Sequence, residues 1–379
     1  MRKDCAAWNV SFRALKPLRS RGCDDVLPRL IPNLDPAALK DEPGREPFRI
    51  EPTFSPRIWG SPSLAPLYPE KTNLAEPIGE AWLTDINCRV ANGPFAGKTL
   101  AEAWREMPAD WRGANFAEPG DFPLLVKFIF PADKLSIQVH PDDAYASVHE
   151  KASGGRGKTE MWHVVSAKPG ASLLLGLRSG VSREKFLEAL QNHTLEDLFQ
   201  RHFVHAGDTF FIPARTPHTI GADMMICEVQ EYSDLTYRVY DYGRVDAHGK
   251  PRELHIEKAL TVLNFDSTSG GKVTPRPWIK VRESAGLNHL VDCPHFSVDR
   301  LDIDRMMHMK RKKTEPGQER FSLLVVLSGE GFLTWLPQTH TQGSIPLRPG
   351  ECWFIPANTF EGYTYRSNGR ISLLTASVP

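Results

Sequence analysis

Gly207-Asp-Thr-Phe-Phe-Ile-Pro213-Ala-Arg-Thr-Pro-His218 can be laid over Gly350-Glu-Cys-Trp-Phe-Ile-Pro356-Ala-Asn-Thr-Phe-Glu361 without a gap, and Gly, Phe, Ile, Pro, Ala and Thr recur in register. Such text suits a strand that is opened by a tight turn at glycine and stopped at proline, which has no N–H to give a ladder. Upstream of each copy runs another β-rich stretch ending in a turn, Trp162-His-Val-Val-Ser-Ala-Lys-Pro-Gly170 and Leu323-Leu-Val-Val-Leu-Ser-Gly-Glu-Gly331. Two related β units are therefore predicted, with Phe321 in the place of Glu160 and Glu361 in the place of His218.

Outward from the repeat the same texture continues. From about Phe48, short apolar runs are broken every few residues by Gly, Pro, Asn or Asp, the signature of an all-β sandwich or barrel. Helical spacing is confined to Leu100–Arg105, part of the region after Pro141, Leu254–Leu260 and the run Ser182–Gln200. That last run is expected to break at Asn192-His193-Thr194 into two short helices packed on the sheet. The polar stretch Asp266-Ser-Thr-Ser-Gly-Gly-Lys272 reads as an internal boundary. Three parts are predicted: a flexible N-terminal extension over 1–46, a unit over 47–265 with a helical insertion at 182–200, and a second β unit over 273–379.

Composition restricts the function. The 379 residues carry 46 Lys+Arg and 46 Asp+Glu, so no net field favours nucleic acid or an anionic membrane. The longest apolar stretch, Phe122–Phe130, contains Lys127 and is far shorter than the ~20 residues needed to cross a bilayer. The amino end lacks a secretory apolar core, and Asp4, Asp24 and Asp25 argue against a transit peptide. Cysteines at 5, 23, 88, 227, 293 and 352 form no C-x-x-C pair. A cytoplasmic protein and a monomer are expected, acting on a small molecule.

The chemistry gathers in the first unit. In Ser136-Ile-Gln-Val-His-Pro-Asp-Asp143, alternate side chains of a strand share a face, so Gln138 and His140 point together. Lys158-Thr-Glu160 opens a later strand and His218 closes the Gly-Pro motif. Two imidazoles, a carboxylate and an amide oxygen make a mixed N/O set suited to a divalent metal with a position open for a ligand. Singly, a strand histidine is more often hydrogen-bonded or exposed than ligating, and the joint pattern is what carries weight. Phe296-Ser-Val-Asp299 in the second unit has no Gln-x-His, so that unit is expected to lack the metal. Gly154-Gly-Arg-Gly-Lys158 has the wrong spacing for a nucleotide loop and reads as a turn.

Beyond these patterns the chain resembles a known family. Gly-x5-Pro-x4-His after an upstream His and Glu resembles the two cupin motifs, and residues 49–379 resemble the class I, zinc-dependent mannose-6-phosphate isomerases of the short bacterial form. The residues that carry the likeness are Arg57-Ile-Trp-Gly60, Ile78-Gly-Glu-Ala-Trp82, Leu125-Val-Lys-Phe128, Ser136–Asp143, Gly157-Lys-Thr-Glu-Met-Trp162, Pro217-His-Thr-Ile-Gly221 and Thr236-Tyr-Arg-Val-Tyr-Asp-Tyr-Gly-Arg244. The resemblance implies a mainly β fold of two cupin jelly-roll sandwiches with a small helical insertion. It also implies one zinc held by Gln138, His140, Glu160 and His218, the four that spacing selects, and a catalytic-site arginine at Arg238. Arg215 departs from the motif by standing where glycine is usual, and Met224–Gln230 follows the family text only loosely, with Glu228 and Gln230 in place.

An aldose–ketose isomerase must move a proton between C1 and C2 through an enediol, so charge on the carbonyl oxygen must meet a cation. Arg238 suits that role beside the metal. The base stays open among Glu228, Asp241, Lys158 and Lys127. For the phosphate, Lys158, Lys127 and Arg215 are candidates. Catalytic residues are thus expected at Arg238, Lys158 and Glu228, and substrate-binding ones at Lys127, Arg215 and Asp241. The implied reaction interconverts mannose 6-phosphate and fructose 6-phosphate. Competing expectations are an isomerase of another phosphorylated sugar, a metal-dependent sugar-binding cupin without turnover, and an iron dioxygenase.

Overall fold

The computed structural model describes residues 46–246, 248–265, 270–281, 285–310, 320–335, 343–357 and 362–379. Residues 1–45 of the expected extension over 1–46, most of the polar boundary (266–269) and Glu361 lie outside them. The described residues are mainly β, in four antiparallel sheets that pair as two sandwiches.

In the first sandwich a seven-stranded sheet has the order Gly271–Lys272, Thr209–Ile212, Glu160–Ala167, Met224–Glu231, Leu124–Ile129, Ile78–Trp82, Thr53–Ser61. It faces a five-stranded sheet ordered Tyr237–Tyr240, Ile137–Val139, His218–Ile220, Ser172–Leu177, Phe199–Phe203. Between them Trp162, Val164, Phe210, Ile212 and Ile226 of one sheet meet Leu173, Leu175 and Ile220 of the other. Helices close the outer face of the smaller sheet, where Phe186, Ala189, Leu260 and Val262 bury Ile137, Val139 and Tyr237.

The second sandwich pairs the sheet Phe48–Ile50, Cys352–Ile355, Ser322–Ser328, Ile371–Ser377, Ser297–Ile303, Ala285–Asp292, Arg276–Val281 with Met306–Lys310, Gly362–Ser367, Gly331–Trp335, Gly343–Leu347. The two seven-stranded sheets pack back to back, Val126, Phe128, Met161 and Val229 against Val298, Leu323, Val325 and Phe354. Strands cross this joint: Phe48–Ile50 pairs with Cys352–Ile355 of the C-terminal sandwich, whereas Gly271–Lys272 pairs with Thr209–Ile212 of the first.

The repeat takes the predicted form. Gly207 and Gly350 both adopt positive φ, 93° and 83°, a turn that glycine makes without steric cost, and each opens a short strand ended by proline. Register corrects one correspondence. Glu160 lies opposite Ile212 and Ser322 lies opposite Ile355, so the place of Glu160 falls to Ser322 and not to Phe321. A slip of one residue turns the other face of a strand, and Phe321 accordingly joins the inter-sandwich core, stacked on Phe354 at 5.0 Å beside Trp104 at 5.4 Å.

The run at 182–200 divides as Arg183–Gln191, capped by the Ser182 hydroxyl, and a single 3-10 turn Leu195–Leu198. Phe199 and Gln200 already belong to the strand Phe199–Phe203. The helical text thus ends earlier than expected, because Phe199 is drawn into the core under the helix rather than continuing its stripe.

At the joint, His163 accepts or donates a 2.9 Å hydrogen bond to Thr209 Oγ1 and lies 3.5 Å from the Arg300 guanidinium of the second sandwich. Burial first, and then Arg300, hold this imidazole down to about 3. The unfolded chain takes up that proton below its ordinary value of about 6.5, whereas the folded chain resists it. The associated stability is therefore complete above pH 6.5 and declines as pH falls toward 3. Between pH 8 and pH 5 the urea unfolding free energy should drop by about 2 kcal/mol through this residue, and His163→Gln should remove that part of the slope. An unchanged slope would contradict the assignment.

Candidate active site

Strand alternation fixes what lines the interior of the first sandwich. Trp82 lies opposite Lys127, Lys127 opposite Glu228, Glu228 opposite Trp162, and Gln230 opposite Glu160. Directly opposed residues share a face, so all of these side chains enter the space between the sheets. From the smaller sheet, His218 lies opposite Gln138 and Gln138 opposite Arg238, which puts those three on the facing wall.

Three donors meet in the middle. Thr216 O binds His218 Nδ1 at 2.9 Å and Leu235 O binds His140 Nδ1 at 2.8 Å, which turns both Nε2 atoms toward Glu160. His218 Nε2 is 3.2 Å from Glu160 Oε1, and His140 Nε2 is 3.7 Å from Oε2. The ligand atoms of His140, Glu160 and His218 lie within 4.8 Å of one another, and all three residues are buried. His140 Nε2 and both Glu160 oxygens have no hydrogen-bond partner among the described residues, apart from the Lys158 ammonium 3.0 Å from Oε2. Leaving polar atoms so placed costs about 1–3 kcal/mol each, so the donor set fits a bound cation far better than an empty core. The Gln138 carboxamide adjoins it, with Nε2 at 3.2 Å from His218 Nε2; turning the amide over would present its oxygen instead.

Electrostatics favour the metal-binding forms. Burial, reinforced by Lys158, holds His140 well below the usual imidazole value, and burial pulls His218 down to about 4. Both rings are neutral and free to ligate at neutral pH. Around them lies a charge network, buried apart from the exposed Asp234, that sequence reading did not assemble. Lys127 Nζ reaches Asp234 Oδ1 at 3.3 Å, Glu80 Oε1 at 3.9 Å and Glu228 Oε1 at 4.0 Å, and sits 4.4 Å over the Trp82 ring. Glu80 is bound in turn by Arg57 at 2.6 Å and by the Trp82 indole. Both lie in quoted motifs, Arg57-Ile-Trp-Gly60 and Ile78–Trp82.

Lys158 and Glu228 are the other partners of the cavity, 3.9 Å apart. Burial would lower Lys158, but Glu160, Glu228 and Asp234 outweigh it and raise its pKa, so the ammonium stays charged. Glu228, which accepts the Trp162 indole N–H at 2.8 Å, is raised by burial and by Glu160 against the pull of Lys158. Arg238 donates to Glu253 O at 2.9 Å and keeps a buried Nε without a partner among the described residues.

Of the other expected residues, Asp241 is committed elsewhere and Arg215 stands beside a cleft. Asp241 accepts from Arg252 Nε at 2.8 Å and Arg244 Nη2 at 2.7 Å, which commits its carboxylate to holding that arginine pair. Arg215 adopts φ 71°, the left-handed turn that explains why glycine is usual there. Its backbone N–H donates to His140 O at 2.7 Å, while its side chain donates to Val262 O and lines a cleft of about 600 Å³ with Arg183 and Phe265.

Sheet pairing and a buried His/Glu/His cluster inside one sandwich define a cupin with a metal-capable site. Residues 48–160 match the family model for the catalytic domain of type I phosphomannose isomerase. A probable mannose-6-phosphate isomerase of Bacillus subtilis, GmuF, is 35% identical over 289 residues, covering 75% of this chain and 87% of that protein. The crystal structure of the mannose 6-phosphate isomerase from Bacillus subtilis superposes with a TM-score of 0.76 at 30% identity, over 87% of this chain and 99% of that one. A more distant mannose 6-phosphate isomerase, 16% identical with a TM-score of 0.61 over 86% of this chain and 98% of its own, is described as bound with zinc and yttrium. The chain belongs to the type I mannose-6-phosphate isomerase family.

Proposed function

We propose that this chain interconverts mannose 6-phosphate and fructose 6-phosphate, with one zinc ion held by His140, Glu160, His218 and the Gln138 carboxamide. The observation that carries this reading is the convergence of buried His140, Glu160 and His218 on one point, with His140 Nε2 and both Glu160 oxygens lacking a hydrogen-bond partner among the described residues apart from Lys158, in a chain of this family. When bound, zinc supplies a Lewis acid that polarises the sugar oxygens. Arg238, anchored through Glu253 O, offers its remaining N–H groups to the oxyanion that builds on the carbonyl. Lys158, kept charged by its carboxylate neighbours, adds a second fixed cation and makes a poor base.

We assign proton transfer between C1 and C2 to Glu228. Asp241 is committed to two arginines, whereas Glu228 is a buried carboxyl whose proton affinity is raised by burial and by Glu160. For the phosphate, Arg215 suits best, because Lys127 and Lys158 are buried among carboxylates whereas the Arg215 guanidinium is about half exposed beside an open cleft. We further propose that residues 47–265 act as the unit that binds the catalytic metal and 273–379 as a cupin-like support with no metal inside its own sandwich, with the edge strands exchanged between them. A cytoplasmic location fits the free thiols of Cys88, Cys227, Cys293 and Cys352, and no helix among the described residues is long and apolar enough to cross a membrane.

The test is a coupled assay with mannose 6-phosphate on protein stripped by a chelator and then restored with zinc. Activity should vanish on stripping and return on restoration. Full turnover by verified metal-free protein would refute the metal reading, and equal turnover of a different phosphorylated aldose would shift the substrate.

A further inference from the structure

A second group of donors lies outside the cavity, at the joint between the sandwiches. We propose that Asp143, Glu231 and His295 form a second divalent-cation site, which ties the C-terminal sandwich to the segment carrying Glu160. The three ligand atoms lie within 4.8 Å of one another. They come from three separate places: the first turn of the helix Asp143–His149, the end of the strand Met224–Glu231, and the turn between Ala285–Asp292 and Ser297–Ile303.

Alternation explains why Glu231 looks the other way from its neighbours. Glu228 and Gln230 point into the cavity, whereas Cys227 and Val229 enter the inter-sandwich core, and Glu231 continues their face. Each carboxylate already commits one oxygen to the backbone. Gly157 N–H donates to Asp143 Oδ1 at 2.8 Å, and Thr159 N–H donates to Glu231 Oε1 at 2.7 Å. The remaining oxygens face His295 Nδ1, Glu231 Oε2 at 3.0 Å and Asp143 Oδ2 at 3.8 Å. Ligand atoms at metal-bond lengths in a tetrahedral shell lie about 3.3 Å apart, so the spacing brackets what an ion requires. The backbone bonds supply the outer-shell orientation that ligating carboxylates usually have.

Gly157 is required for this arrangement, since a Cβ there would stand 2.5 Å from Asp143 N. Glu231 is buried, His295 is half-buried and Asp143 is exposed, which leaves room for water to complete the shell. Two carboxylates and one imidazole select a borderline divalent ion of the zinc or manganese type. The two carboxylates raise the affinity of His295 for a proton, so an ion entering the site must displace it. Binding would fix Thr159, whose neighbours Lys158 and Glu160 face the first site.

The full-length chain, stripped of metal, is titrated with zinc alone by calorimetry, and the ions retained after dialysis are counted. Two ions per chain are expected for the wild type, one for His295→Ala and one for His218→Ala. Asp143→Asn, a milder change that keeps the Gly157 acceptor, should weaken one of the two sites by at least about tenfold and leave the other unchanged. A wild-type chain that takes one ion, lost in His218→Ala, overturns the proposal and leaves the cluster as a protonated ion pair. Two ions at unchanged affinity in both His295→Ala and Asp143→Asn overturn it equally.

Discussion

His218→Ala is expected to lose the metal and at least about three orders of magnitude of isomerase kcat. The ring is fully buried, its Nδ1 is fixed by Thr216 O, and its Nε2 stands 3.2 Å from Glu160. Alanine removes one of the two imidazoles and leaves His140, Glu160 and the Gln138 carboxamide, a set that holds a dication far more weakly against water. Several kcal/mol of transition-state stabilisation go with the ion, and each 1.36 kcal/mol is a factor of ten in rate. The change also opens a gap beside Trp162, whose ring lies 5.2 Å from that of His218, so the unfolding temperature should be measured on the stripped wild type and the stripped variant side by side. Metal retained at wild-type affinity would show that His218 is not a ligand.

Arg238→Ala should behave differently: metal content unchanged, KM altered little, and kcat lower by about 10²–10³-fold, the usual cost of removing one preorganised donor to a developing oxyanion. The residue shares a wall with Gln138 and His218, but its guanidinium is held by Glu253 O rather than by a ligand side chain among the described residues. Burial and the nearby Arg252 already hold its proton affinity below that of a free guanidinium, which marks it as a cation kept partly out of water. Arg238→Lys should recover only part of the loss, because one ammonium cannot reproduce the planar fork. Loss of the metal together with activity would mean that Arg238 acts by supporting the ligand sheet.

Much of this site was legible in the chain because its demands are written in residue types. A metal needs imidazole and carboxylate, a strand places alternate residues on one face, and Gln138, His140, Glu160 and His218 satisfied both conditions. The Gly-to-Pro repeat was equally plain, since positive φ at Gly207 and Gly350 and the missing N–H of proline are local requirements. What stayed hidden depends on pairing across the sheets. Glu80 and Asp234 look like ordinary acidic residues until the fold sets them around Lys127. The correspondence of Glu160 with Ser322 turned on a shift of one residue that text alone did not reveal. Asp241 sat in a matching motif, yet Arg244 and Arg252, close by in the chain, claim it. His295 belongs to no motif, and only the docking of one sandwich on the other brings it to Glu231.

The exchange of edge strands bears on how the protein is made. Phe48 stacks on Phe354 and Ile50 lies opposite Cys352, while Tyr68 hydrogen-bonds Gly350 O at 2.8 Å. On the ribosome, the earliest strand of the catalytic half must wait for nearly the whole polypeptide before its neighbour exists. Until then the back of the large catalytic sheet lies bare. Synthesis halted after residue 265 would release a chain with that apolar face and an unmatched strand exposed, poised to aggregate rather than to function as a shorter enzyme.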